Sequence, residues 1–68
     1  MITYQRASTG VYNVYSDGKP TKYQLVNALG GANDYIYGIY DKEKSKYHWI
    51  GTITTTKQKI SYWIRKGR

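Results

Sequence analysis

The sequence has no cysteine and no phenylalanine, and its 68 residues include one proline, one histidine and four acidic side chains. Without cysteine there is neither a disulfide nor a thiolate metal site. With His48 as the only imidazole and so few carboxylates, the groups that acid–base catalysis or metal ligation requires are scarce. We therefore expect a protein that is not an enzyme and that uses no cofactor and no metal.

Long apolar runs are also missing. A membrane helix needs about 20 consecutive apolar residues, and no stretch approaches that length. No signal peptide is visible after Met1. We expect a soluble, cytoplasmic protein without a membrane partner. Residues 1–68 suffice for one domain with a small core. Nine Tyr and two Trp must supply much of that core by aromatic burial.

Acidic residues are scarcest in the last part of the chain, and this concentrates the net charge of +7 there. Residues 1–41 carry three basic and three acidic side chains and are neutral overall. Residues 42–68 carry eight basic side chains against Glu43 alone, which accounts for the whole net charge. Such clustering favours a polyanionic partner, with nucleic acid first. A merely solubilising surface is the simpler alternative.

The spacing of apolar residues predicts an amphipathic helix over residues 55–66. Ile60, Trp63 and Ile64 recur at the i, i+3 and i+4 spacing that places side chains on one helix face. Trp63 should therefore be mostly buried, and Tyr62, which points to the opposite side, should be mostly exposed.

The ends of this helix carry their own signals. Thr55 is a suitable N-cap, and Gln58 three residues later completes a capping box, in which two backbone amides are satisfied reciprocally. Gly67 suits the left-handed position just past a helix end. Arg65 and Lys66 stand in the last turn, where the helix dipole favours cations.

The rest of the chain predicts strands, which cover residues 2–8, 11–15, 35–40 and 47–53. Turn residues separate them, at positions 9–10, 17–20, 30–34 and 41–46. Gly38, inside the strand 35–40, indicates a bulge or a close backbone approach. Residues 21–29 are ambiguous: they alternate as a strand does, but Leu25 and Leu29 also fit a helix that stops at the following glycines. We favour the strand.

The predicted fold is therefore α+β, with a small antiparallel β-meander of four to five strands packed against one C-terminal α-helix. The helix can bury its apolar stripe only against one face of the sheet. The other sheet face is then left open, and we expect it to be rich in tyrosine.

One resemblance covers most of the chain at the level of pattern. The residues that carry it are Trp49, Gly51, Thr52, Thr55 and Trp63, in a strand that leads into a capped, basic helix. In this they resemble the three-strand-plus-helix DNA-binding domains of plant ethylene-response factors and the arm-binding domains of phage tyrosine integrases. That resemblance implies a sheet that lies in the major groove of DNA and contacts it with the exposed face.

The expected function is non-enzymatic nucleic-acid binding, with DNA favoured over RNA. Lysines on loops and helix faces suit phosphate contacts, which position a protein without reading sequence. Tyr40, Tyr47 and Tyr62 stand among them and can stack on unpaired bases. The candidate nucleic-acid-binding residues are Lys42, Lys44, Lys46, His48, Lys57, Lys59, Tyr62, Arg65, Lys66 and Arg68.

A second hypothesis comes from another class. A small, Tyr-rich chain of this kind is typical of accessory proteins of phages and other mobile elements, which bind a host protein and inhibit or redirect it. Aromatic residues are favoured at protein interfaces as well. A continuous basic and aromatic surface would favour nucleic acid, whereas a neutral apolar patch away from the lysines would favour a protein partner.

Overall fold

The computed structural model describes residues 1–28 and 36–67. The strands lie in the sheet in chain order, and each neighbouring pair is antiparallel. The predicted α+β meander with a C-terminal helix is thus confirmed. The elements are β1 (Ile2–Ser8), β2 (Val11–Ser16), β3 (Lys19–Asn27), β4 (Tyr37–Asp41), β5 (Lys46–Gly51) and α1 (Ile53–Arg65).

The ambiguous segment is a strand. β3 pairs with β2 on one side and with β4 on the other, so backbone pairing on both edges decides in favour of the extended form. It starts at Lys19, which shortens the predicted turn 17–20 to Asp17 and Gly18. The predicted loop at residues 30–34, the end of the segment 21–29 and Tyr35 lie outside the described residues.

The β2–β3 connection is a two-residue hairpin turn. Asp17 has φ 52° and Gly18 has φ 80°. Positive φ at both central residues is the condition of the turn type whose twist matches that of the flanking strands, and Asp-Gly satisfies it best. The Asp17 carboxylate also contacts the Met1 amino group, which joins the start of β1 to this turn.

The helix begins earlier than predicted. Thr52, not Thr55, is the N-cap: its hydroxyl oxygen accepts a hydrogen bond from the Thr55 backbone N–H at 3.3 Å. The Thr56 hydroxyl donates to the Thr52 carbonyl at 2.7 Å. The capping box of Thr55 and Gln58 was therefore wrong, because β5 ends at Gly51 and the first of the successive threonines takes the cap. Gly67 has φ 72°, as predicted for the residue after the helix.

The core lies between α1 and one face of the sheet. Ile60 and Trp63 of the helix are buried, Ile64 is half-buried, and Thr56 is fully buried beside them. The helix packs mainly on β3, β4 and β5. No helix in residues 1–28 and 36–67 is long and apolar enough to cross a membrane. The buried side chains of the cluster are Val14, Tyr23, Leu25, Tyr37, Ile39, Ile60 and Trp63.

Trp63 and Tyr62 offer a matched pair for testing this packing. Trp63 is 9% exposed and Tyr62 is 44% exposed, as predicted from the stripe. Trp63→Ala should lower the free energy of unfolding by about 3–5 kcal/mol, because it leaves a cavity between helix and sheet. Tyr62→Ala should lower it by less than about 1 kcal/mol, since it empties no buried site. Urea unfolding followed by circular dichroism measures both, and similar midpoints for the two variants would contradict the packing.

Candidate nucleic-acid interface

The sheet has two unlike faces. Side chains alternate along each strand, so one set points to α1 and the other to what we call the open face, the side opposite the helix. One row of cross-strand neighbours on the open face passes through all five strands, in the order Gln5, Asn13, Gln24, Tyr40 and Tyr47. The Gln24 side-chain amide donates a hydrogen bond to Asn13 Oδ1 at 2.8 Å. Along this row the side chains are amides on β1, β2 and β3 and aromatic rings on β4 and β5.

At the β5 edge, three rings form what we call the aromatic platform: Tyr40, Tyr47 and Trp49. The ring centroids of Tyr40 and Tyr47 are 4.5 Å apart. Tyr47 and Trp49 stack nearly in parallel, with centroids 5.4 Å apart and planes 4° apart. Tyr47 is 53% exposed and Trp49 is 52% exposed. Two large rings thus stay half in water although each is held by its neighbour.

Gly38 holds Trp49 in place. A Cβ atom at Gly38 would lie 2.6 Å from Trp49 Cε3 and 2.7 Å from the His48 carbonyl oxygen. The indole therefore lies directly over the β4 backbone, where no side chain fits. The pairing of β4 with β5 also shifts register between Tyr37 and Gly38. Both features predicted for Gly38, a bulge and a close approach, are present.

The predicted basic residues do not form a single surface. Lys59, Tyr62 and Lys66 are exposed on the side of α1 that faces away from the sheet, and Arg65 is exposed beside the cavity between α1 and β1. They lie across the molecule from the aromatic platform, so Tyr62 cannot act together with Tyr40 and Tyr47. The helix cations and the platform are apart because α1 covers the sheet face opposite the platform, so its exposed side chains point to solvent on that side of the molecule. Arg68 lies outside the described residues.

The remaining cations surround the β4–β5 hairpin. Lys42 and Lys44 belong to its exposed turn, residues 42–45. Lys46 starts β5 on the helix side of the sheet, because it pairs with Asp41. The Asp41 carboxylate is buried, and its Oδ1 accepts hydrogen bonds from the backbone N–H groups of Glu43 at 3.0 Å and Lys44 at 3.1 Å. Asp41 therefore shapes the turn that presents these lysines.

His48 is not the exposed imidazole that the sequence suggested. It is half-buried on the helix side, and its ring meets the Trp63 ring edge-on, with centroids 5.1 Å apart. The register of β4 and β5 decides this, because His48 lies opposite the buried Ile39. Within the described residues, no group of three or more His, Asp or Glu side chains could hold a metal ion.

A groove of about 510 Å³ separates β1 from the helix. Tyr4 and Ile2 line its floor and Lys57 its rim, with the Lys57 ammonium 4.7 Å from the centre of the Tyr4 ring. Lys57 is therefore half-buried along an aromatic surface instead of free in solution. Burial raises the pKa of the Tyr4 phenol. The Ser61 side chain beside the phenol lowers this pKa, but by less than burial raises it.

Sequence reasoning missed part of the open face. The amides Gln5, Asn13 and Gln24 were not singled out, and Trp49 was not expected to be exposed beside Tyr47. The signal was present in the alternation of each strand, but it becomes a row only when the register of four strand pairs is known. Those registers depend on bulges at Arg6/Ser8, Asn13/Tyr15 and Tyr37/Gly38.

No protein-family model, curated protein or solved structure matches this chain. The resemblance to strand–strand–strand–helix DNA-binding domains therefore stays a prediction. The last four elements, β3, β4, β5 and α1, do follow one another in that order.

A single added methyl group tests how Trp49 is held. Gly38→Ala should lower the free energy of unfolding by about 1–3 kcal/mol, because its Cβ overlaps the indole and a backbone carbonyl that cannot retreat freely. It should also displace the Trp49 ring, which the side-chain NMR signals of Trp49 and Tyr47 would report. An unchanged stability together with unchanged signals would contradict the close approach.

Alkaline stability tests the buried Tyr4 phenol. A pKa raised above the unfolded value of about 10 means that the folded state holds the proton more tightly. The stabilisation is therefore complete below pH 10 and is lost as the pH rises through the folded pKa. Tyr4→Phe should lose less stability than the wild type between pH 9 and 11.5, as measured by urea midpoints. Tyr62→Phe, which removes an exposed hydroxyl, is the control, and equal losses in Tyr4→Phe and wild type would contradict the assignment.

Proposed function

We propose that this protein is a non-enzymatic nucleic-acid-binding domain that holds unpaired bases on its aromatic platform. The observation that carries the proposal is the parallel pair of Tyr47 and Trp49, half exposed and fixed in orientation by Tyr40 and Gly38. A base stacked on such a ring gains about 1–3 kcal/mol without regard to its identity. A preordered pair of rings offers that gain with little loss of side-chain freedom.

Unpaired bases fit this surface better than a duplex does. In a double helix the base faces are already stacked on one another, and only groove edges and phosphates are accessible. Tyr47 and Trp49 each use one ring face on the other, and a base can stack on the remaining exposed ring surface only if it is splayed out of a helix or belongs to a single strand. The platform therefore favours single-stranded nucleic acid as the ligand, and this is the ligand to test first.

The amide row extends the same surface. Each Asn or Gln side chain has two donor hydrogens and an acceptor oxygen. The hydrogen bond between Gln24 and Asn13 uses one donor and one acceptor lone pair, so both amides keep further capacity. Amides of this kind pair well with base edges, adenine above all. We expect bases next to the platform to meet Gln24 and Asn13.

Electrostatics supply the attraction. The net charge of +7 produces a field that draws a polyanion to the molecule from any side. Lys42 and Lys44 in the β4–β5 turn are the cations closest along the chain to the platform strands, and they suit phosphates of a strand lying on Tyr40 and Tyr47. Lys59, Arg65 and Lys66 act at longer range. We propose DNA ahead of RNA because of the resemblance to DNA-binding domains, with single-stranded DNA in place of the duplex that the resemblance implies.

Binding without catalysis is part of the proposal. Asp41 uses its carboxylate to hold the hairpin turn, and His48 packs its ring on Trp63. The Asp41 carboxylate and the His48 ring therefore stabilise the fold, and neither lies on the open face, where the bases would bind.

A protein partner is the second candidate. Exposed tryptophan and tyrosine are the residues most often found at the energetic centre of protein interfaces. The platform is separated from the helix cations, which is the arrangement that favours a protein partner over a polyanion. In this alternative the chain would be an accessory protein of a phage or mobile element that binds a host protein through Tyr47 and Trp49.

Fluorescence anisotropy with short oligonucleotides tests the proposal. A single-stranded DNA of mixed sequence should bind more tightly than its duplex. Tyr47→Ala and Trp49→Ala should each weaken single-strand binding about 5- to 150-fold, the equivalent of 1–3 kcal/mol. Tyr62→Ala is the matched control, since it removes an exposed ring on the helix, and it should change affinity less than about threefold.

Salt and charge reversal separate the alternatives. Log affinity for a single strand should fall with log salt, with a slope of about −0.7 for each phosphate contacted. If duplex binding is unchanged in Tyr47→Ala but is lost when Lys59 and Lys66 are both changed to Glu, the binding surface is the outer face of the helix and not the platform. If neither the single strand nor the duplex binds at tens of micromolar protein, the nucleic-acid proposal is contradicted and a protein partner becomes the favoured alternative.

A further inference from the structure

The other side of the β4–β5 hairpin contains a second cavity, of about 350 Å³, which we call the basic pocket. Its inner wall is formed by the rings of Tyr23, His48 and Trp63. The Tyr23 and Trp63 centroids are 5.8 Å apart, and His48 meets Trp63 edge-on, so these rings close the base of the cavity. Three lysines and one carboxylate complete the lining: Lys22, Lys44, Lys46 and Asp41.

The three lysines come from three different elements. Lys22 lies where β3 continues past the last residue of β4, because β3 pairs with β4 only from Tyr23 onward. By alternation Lys22 leaves the backbone on the same side as Gln24, but beyond the end of β4 its side chain extends to the pocket, where its ammonium is 5.4 Å from the centre of the Tyr23 ring. Lys44 arrives from the hairpin turn and Lys46 from the start of β5. Lys44 and Lys46 thus belong to one exposed charged run, and it is Lys22, from β3, that joins a separate strand to the pocket.

The charge of the pocket is not balanced internally. Three ammonium groups face one carboxylate, Asp41, and that carboxylate already accepts two backbone hydrogen bonds. Among residues 1–28 and 36–67, the one ion pair is that between the Met1 amino group and Asp17, and it uses none of the charged side chains that line the pocket. The pocket thus carries a net charge of two positive units, with His48 taken as neutral.

We propose that the basic pocket binds a phosphate monoester. Such a group carries a charge of about −1.5 to −2 at neutral pH and offers three strong acceptor oxygens. It therefore matches the two unbalanced positive charges, and three ammonium groups provide donors for all of its oxygens. A carboxylate would neutralise only half of that charge. A cavity of about 350 Å³ also lies within the usual range for small-ligand sites and admits the sugar that carries the phosphate.

Resting on the proposed function, the monoester is the terminal phosphate of a strand bound on the platform. Successive residues of a strand point to opposite faces, so Tyr40 and Tyr47 stand on the open face while Asp41 and Lys46 stand in the pocket. The turn at residues 42–45 is all that separates the two sites along the hairpin. A strand end can bend around it, whereas an internal phosphodiester carries a single charge and must continue out of the pocket in both directions.

The test compares three labelled oligonucleotides of one sequence: with a 5′-phosphate, with a 3′-phosphate and with neither. One phosphorylated form should bind the wild type at least about tenfold more tightly than the unphosphorylated form, the usual scale for a phosphate held by several charge-assisted hydrogen bonds. The double variant Lys22→Gln/Lys46→Gln should lose this preference, and its affinity for the unphosphorylated strand should fall less than about threefold. Lys59→Gln/Lys66→Gln, an equal loss of charge on the helix, should keep the preference.

Small ligands make the two proposals separable. A nucleoside monophosphate should shift the NMR signals of His48 and the Trp63 indole in the wild type but not in Lys22→Gln/Lys46→Gln. If that shift occurs while no oligonucleotide binds, phosphate binding by the basic pocket is supported and base binding by the platform is contradicted. If oligonucleotides bind equally with and without a terminal phosphate, the pocket proposal is overturned and the platform remains. If O-phosphoserine binds more tightly than the nucleotide, the terminal-phosphate assignment is overturned in favour of a phosphorylated protein.

Discussion

The packing of Trp63 against one face of the sheet is the contact from which the rest of the molecule follows. Its ring meets Tyr23 and His48, and its neighbour Ile60 reaches the fully buried Ile39 cluster. In a chain with no disulfide, this aromatic burial has to provide much of the stability. Because a single helix can cover only one face of the sheet, no helix of residues 1–28 and 36–67 covers the second face, which contains the aromatic platform.

The β4–β5 hairpin connects the two faces. Alternate residues of each of its strands serve different purposes: Tyr40, Tyr47 and Trp49 build the platform, while Asp41, Lys46 and His48 line the basic pocket. One hairpin can line two sites because successive side chains of a strand point to opposite faces of the sheet, so six residues that are close in space divide between the platform and the pocket. The bulge at Gly38 fixes the register, and a slip of one residue would exchange the two sets.

Much of the fold could be predicted from the sequence, because its signals are local. The Asp17-Gly18 turn, the Ile60/Trp63 stripe and Gly67 each report their conformation within a few residues. The helix start was missed because Thr52, Thr54, Thr55 and Thr56 all suit an N-cap, and only the end of β5 selects among them. The site was harder to predict, because the amide row and the basic pocket assemble residues from separate strands. The sequence alone gave neither the registers of those strands nor the bulges at Arg6/Ser8 and Asn13/Tyr15.

Charge shows the limit of sequence reasoning most clearly. Residues 42–68 carry the whole net charge, and this contiguity suggested one cationic surface. The fold divides it instead, because the segment passes through a hairpin and then a helix on one side of the sheet. Lys59 and Lys66 end up pointing to solvent away from the sheet, while Lys44 and Lys46 converge with Lys22, which comes from the neutral part of the chain. A cation's neighbours in the sequence are thus a poor guide to its partners, whereas a cavity lined by three lysines and one carboxylate indicates the charge of the ligand that would suit it.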